Sequence, residues 1–235
     1  MDSPRIDFIS SYCDRWCERC AFTDRCSAFA CKVAIGMCGD DADGIELAVG
    51  RPKSADGEDE PTAGERLMQE FENQMPTERE MAAFALEERA RDARLDALPL
   101  TRMSTTYMHR STAWIDDHRK ALETSHDPIV REAFAIVSWD AYFIATKLRR
   151  ALDGRDRSNA GDEECDDEPV QNDWNGSAKV ALISIERSAE AWKTIGRALG
   201  DRSAIALGEA LDVLRQSVLA VFPLAMSFRR PGFDD

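Results

Sequence analysis

The chain has 235 residues, 43% of them apolar, and carries 44 acidic against 30 basic side chains for a formal charge of -14. Residues 39–65 and 153–173 each hold nine acids and two bases, so the acidity belongs to two solvated tracts and the remainder is neutral overall. This leaves no broad basic face and disfavours nucleic-acid binding, with Arg149, Arg150, Arg155 and Arg157 forming at most a local patch. No apolar run reaches the roughly 20 residues of a membrane span, Val218 to Met226 coming nearest.

In chain order, MDSPRIDFISSYC lacks a basic start followed by an apolar stretch, so no secretory signal is expected and a cytoplasmic location follows. Residues 3–20 read as a helix, with Ser3 as N-cap and Pro4 at the first position. On its 3.6-residue period Ile9, Cys13, Trp16, Cys17 and Cys20 share a face. Thr23 or Asp24 caps a second helix to Gly36, with Phe22, Cys26, Phe29 and Val33 as its apolar stripe. Cys26 then lies in the first turn, where the helix dipole favours a thiolate. Residues 1–38 are thus expected as a cysteine-rich helical hairpin, and 39–65 as an acidic linker.

A short helical segment, 66–75, ends at Pro76, and Thr77 with Glu80 forms a capping box that starts a helix to about Ala97. Leu98-Pro99 breaks it. Thr101 opens another helix carrying Met103, Tyr107, Trp114 and Leu122, and Asp127-Pro128 starts one through Val137, Ile144, Leu148 and Leu152. The tract 153–173 reads as an acidic loop. Helices near 174–199 and 202–226 are divided by Gly200 and Asp201. No alternating strand pattern is present, so the expected fold is all-α: a helical bundle over 66–235, interrupted by loop 153–173 and preceded by the cysteine hairpin.

Six of the seven cysteines fall within the first 38 residues, four of them as Cys13-x3-Cys17-x2-Cys20-x5-Cys26. Such a set supplies four thiolates to one compact site, as a tetrahedral zinc or a cubane iron-sulfur cluster requires. In a reducing compartment clustered cysteines point to metal or redox chemistry rather than to disulfides. Zinc knuckles pair two C-x2-C units, whereas a single one occurs here. The spacing therefore favours a 4Fe-4S cluster, with zinc as the alternative and metal-free thiols as a third reading. Cys31 is expected to pack as a small apolar residue, Cys38 to be a spare ligand or resolving thiol, and Cys165 to be incidental.

The C-x2-C-x5-C of Cys17, Cys20 and Cys26 resembles the 4Fe-4S loop of glycosylases related to endonuclease III and of WhiB-like iron-sulfur regulators. That resemblance implies a 4Fe-4S cluster, with Cys13 taking the first ligand's place at a spacing of its own. The likeness is local: the chain has neither the glycosylase helix-hairpin-helix with its catalytic Lys or Asp nor the Gly-Trp-Gly turn of WhiB proteins. Cys13-x3-Cys17-x2-Cys20 is also similar to the motif of radical S-adenosylmethionine enzymes, but a fourth cysteine follows and the strand-helix alternation of that barrel is missing. The segment YCDRWCERC with its C-x5-C closure resembles a group of uncharacterised bacterial helical proteins, which implies no activity.

Other chemistry is thinly represented. A di-iron bundle needs two Glu-x-x-His motifs, and the single one, Glu123-x2-His126, falls at a helix end. Asp140, in Trp139-Asp140-Ala141-Tyr142, reads as a buried acid paired with an Arg or an indole N–H, with a ligand or catalytic role as the alternative. No phosphate loop, nucleophile elbow or Ser-His-Asp order occurs, so no enzyme class is assigned. The sequence points to a 4Fe-4S protein acting in electron transfer or in redox or iron sensing for a protein partner. A zinc-stabilised regulatory protein and an enzyme with a site in the bundle are the alternatives.

Overall fold

The computed structural model describes residues 5, 6, 12–39, 47, 76–160 and 168–234. Among them are six α-helices and no strand: α1 (Ser27–Cys38), α2 (Glu78–Ala97), α3 (Pro99–Glu123), α4 (Pro128–Ala160), α5 (Asp173–Leu199) and α6 (Arg202–Val221). The fold is an all-α helical bundle, as the periodicity predicts. None of the described helices is long and apolar enough to cross a membrane.

Helix ends follow local chemistry. The capping box closes, the Thr77 N–H donating to Glu80 Oε2 at 2.8 Å and the Glu80 N–H to Thr77 Oγ1 at 3.3 Å. Pro99 opens α3, and Asp127 Oδ1 accepts the Ile129 N–H at 2.8 Å where α4 begins. Gly200 ends α5 at φ 64°, a left-handed value that glycine adopts freely. Asp201 then caps α6 by accepting the Ser203 N–H at 2.7 Å.

The chain divides into two compact units, one of Met1–Cys26 with Leu95–Asp235 and one of Ser27–Arg94. Cys13, Cys17, Cys20 and Cys26 fall in the first unit, and Cys31 and Cys38 in the second. In the bundle, Val137, Ile144 and Leu148 of α4, Ile185, Trp192 and Ile195 of α5, and Leu211, Leu214 and Val218 of α6 lose nearly all exposure. Each set recurs at three, four or seven residues, the stripe a core-facing helix needs. The Trp192 indole, fully enclosed, donates to Tyr107 Oη at 2.9 Å, so its polar atom is satisfied.

Three expectations are corrected. Residues 12–20 form no α-helix. Asp14 Oδ1 accepts the Trp16 N–H at 3.1 Å, a local turn that competes with helix. Arg15 takes φ 56°, outside helical space. Next, Thr23–Arg25 is a 3₁₀ turn and Cys26 is extended, so α1 starts at Ser27 and buries Ser27, Cys31 and Ala34, leaving Val33 44% exposed. Finally, the stretch 153–160 of the expected acidic loop continues α4, held by the Arg157–Asp153 pair at 3.0 Å and by Arg155 Nη1 donating to Val221 O at 2.8 Å. Residues 161–167 with Cys165, the predicted helix 66–75, and the linker 39–65 apart from Gly39 and Leu47 lie outside the described residues.

Candidate functional site

The cysteine segment is seated by contacts at both of its ends. Ile6 is buried, and its N–H donates to Arg25 O at 2.9 Å, forming a parallel bridge with Cys26. Tyr12 meets Phe228 at 4.9 Å between ring centroids over Gly176, where a Cβ would collide with both rings. Phe22 sits edge-on to Phe233 at 5.1 Å, and Arg25 Nη2 donates to Gly232 O at 2.7 Å. Gly232 has φ 75°, and a Cβ there would stand 2.7 Å from Ile6 Cγ1. The tail is tied in turn: Asp234 accepts from Arg230 Nη2 at 2.7 Å and from Lys179 Nζ at 2.6 Å. Burial pushes the Asp234 carboxyl up, but Arg230 and Lys179 outweigh it and hold the group well below the usual carboxylate range.

A second anchor rises from the bundle core. Asp140 is fully buried and receives Arg187 Nε at 2.8 Å, Arg187 Nη2 at 2.6 Å and Ser188 Oγ at 2.7 Å. Burial pushes its carboxyl up, against the pull of Arg187 and Ser188. The Arg187 guanidinium reaches outward to Asp14 as well, so one cation joins the core to the cysteine segment. Above it the Trp139 indole donates to Asp14 O at 3.0 Å, and Trp16 stacks on Trp139 at 5.2 Å with planes 10° apart. Arg19 lies over Trp16 at 4.0 Å and pairs with Glu132. The acid singled out in the sequence is thus paired with arginine.

Among the described residues none of the four cysteines forms a disulfide, and each is partly exposed. Cys17 opens a 3₁₀ turn whose Cys20 N–H donates to Cys17 O at 3.2 Å, and Cys26 is extended. Cys13 and Cys20 line one cavity of about 400 Å³, with Arg19, Ser184, Arg187 and Arg230 among its walls. Burial pushes the Cys13 thiol up; the Arg15 N–H and the Lys147 ammonium oppose this, while Asp14 and Cys26 add to it. Cys13 therefore feels both Cys26 and Lys147. Lys147 itself is buried and its ammonium is lowered to about 8, opposed by Cys13. Lys147, Ser184 and Arg187 were not singled out in the sequence. The signal for Lys147 was its place beside Ile144, Leu148 and Ala151 on the apolar stripe of α4.

Among the described residues, no three His, Cys, Asp or Glu side chains gather closely enough to hold a metal ion. The thiols thus stand in one unit and partly around one cavity, without forming a closed cage. As donor chemistry they fit a thiolate-ligated group, and a buried hydroxyl without a partner, Ser184 Oγ, stands in the wall of the same cavity. Cys31 is buried, as expected of a packing residue, and Cys38 is exposed. No family model matches this sequence, and no curated protein or solved structure matches it either.

Proposed function

We propose that Cys13, Cys17, Cys20 and Cys26 hold a 4Fe-4S cluster and that the protein serves electron transfer, or redox or iron sensing, for a protein partner. The observation that carries this reading is the cavity of about 400 Å³ lined by two of the four thiols, which is larger than a bare zinc ion requires. Its wall holds Arg19, Arg187 and Arg230 against Asp14 and Glu132, a small positive excess that suits the negative charge of a four-thiolate cluster. The residues between Cys13 and Cys26 are turns and extended backbone, so drawing the thiols together breaks no α-helix. Lys147 offsets the charge Cys13 acquires on losing its proton, and the Asp14–Arg187 pair fixes the start of the segment. A bound cluster supplies one-electron chemistry. Cys17 and Cys20 keep some exposure, which leaves that chemistry near the surface, within reach of a partner.

Anaerobic purification followed by iron, zinc and acid-labile sulfide analysis tests the reading. The expected result is a brown protein with iron and sulfide in equal amounts. Single Ser substitutions at Cys13, Cys17, Cys20 and Cys26 should lose the colour, whereas Cys31→Ser should keep it. A colourless chain holding one zinc and no sulfide would overturn the proposal in favour of a structural zinc site.

A further inference from the structure

Helices α3 and α6 run antiparallel: Trp114 Nε1 donates to Asp201 Oδ2 at 2.9 Å where α6 begins, and Ser217 Oγ meets Met103 Sδ at 3.6 Å near its other end. Between these ties a groove of about 380 Å³ opens, sharing no residue with the cysteine cavity. Its floor is apolar, built from Met103, Leu207, Ala210, Val213 and Leu214, with Tyr107, whose hydroxyl already accepts from the Trp192 indole. Val213 keeps 58% of its exposure, so the floor faces solvent. The rim is cationic. Arg102, Thr106 and Arg110 follow one another at four residues along α3, all exposed, which sets the two arginines about 12 Å apart along the helix axis.

These arginines are not answered by the protein. The positions three and four residues from either one on α3 hold no acid, and no acid is among the described residues that line the groove. Among the described residues neither side chain has a hydrogen-bond or ion-pair partner. Arg119, farther along the same helix, shows the ordinary outcome, pairing with Asp116 at 3.0 Å and Glu123 at 3.6 Å. On α6, Asp212 pairs with Lys193 of α5 at 3.2 Å. An open apolar floor accepts hydrocarbon, and guanidinium groups at its rim grip a carboxylate through paired N–H donors. We propose that this groove binds a medium-chain carboxylate, its chain lying along Val213 and Leu214 and its head taken by Arg102 or Arg110. The span between the arginines suits an extended octanoate, and the volume falls in the range of small-molecule sites. If the arginines served only to cover apolar surface with their stems, their heads in water, the groove would show no preference for an anion. The proposal is independent of what the cysteines hold.

Calorimetric titration of the full-length protein with octanoate, octanol and octylammonium, each kept monomeric, tests it. Octanoate should bind at one site about tenfold more tightly than octanol, the worth of a charge-assisted hydrogen bond, and octylammonium should bind least. Replacing both exposed arginines, Arg102→Gln with Arg110→Gln, should bring octanoate down to the octanol level and leave octanol unchanged. Amide shifts in NMR spectra of the wild type give a second reading that needs no variant: octanoate should move residues of 102–110 and 207–214 first. The proposal is overturned if octanoate does not bind or binds no better than octanol. It is equally overturned if the preference survives the double substitution, or if the shifts centre elsewhere, for instance on the exposed Phe84 and Leu86 of α2.

Discussion

Along α4, Val137, Ala141, Ile144, Leu148 and Ala151 recur at helical spacing and each is at most 1% exposed. From Tyr12 to Cys26, by contrast, every residue keeps some exposure. The bundle is held by apolar area, which is non-directional and tolerant of detail. The cysteine segment is held by individual directed contacts: Asp14 to Arg187, Trp16 on Trp139, Phe22 against Phe233 and Arg25 to Gly232. The difference teaches where function has room. A region that owes its position to a few polar and aromatic contacts can rearrange around a bound group without disturbing the core beneath it.

Substitutions can break this contrast. The largest effect is expected in the core, where Trp192→Ala removes a fully buried indole and strands the Tyr107 hydroxyl. Urea unfolding should show a loss of about 4 kcal/mol, and a loss below about 1 kcal/mol would mean that the core is not the source of stability. The joint between the regions comes next. Asp140→Ala leaves Arg187 at the core edge with Asp14 alone, and should cost about 3 kcal/mol. Asp14→Ala keeps the Asp140–Arg187 pair and should cost only about 1 kcal/mol, while alkylation of Cys13 and Cys20 in the metal-free protein speeds up several-fold. Equal stability losses in the two variants would erase the distinction between core and segment.

The smallest effect is a pH dependence of the tail. The folded-state carboxyl of Asp234 titrates below its unfolded value near 3.9, so its contribution is present above that value and is lost as the pH falls through the folded one. The thermal midpoint of wild type should therefore exceed that of Asp234→Asn at pH 6. The gap should narrow as the pH falls below about 4. A gap that stays constant down to pH 3 would show that the Arg230 and Lys179 contacts do not govern the tail.

What the sequence made legible follows the same division. The bundle helices could be read because apolar period and capping residues agree: Thr77 with Glu80, and Gly200 with Asp201, stand where their chemistry requires. Asp140 was legible as a paired buried acid, since an unpaired one is too costly, but its partner lies 47 residues away and no local pattern names it. The cysteine segment misled, because Cys13, Cys17 and Cys20 also fit a helical period. There the Asp14 side chain, the left-handed Arg15 and the docking of Trp16 on Trp139 outweigh intrinsic periodicity. Ser184 gave no signal, as a serine in a helix is unremarkable until its missing partner and its neighbours are seen.

The contacts that seat the cysteine segment span nearly the whole chain: 173 residues separate Asp14 from Arg187, and 207 separate Arg25 from Gly232. On a ribosome, which releases the N-terminus first at roughly 5 to 20 residues per second, the thiols emerge long before any of their supports. Arg187 follows only when α5 is made, and Gly232 and Phe233 only with the tail. Until then the nascent cysteines lack Arg187, Arg230 and the Phe233 ring of the cavity wall. They are open to oxidation or stray metals in that interval, and the cavity lined by Cys13 and Cys20 is completed only once Phe233 has been made.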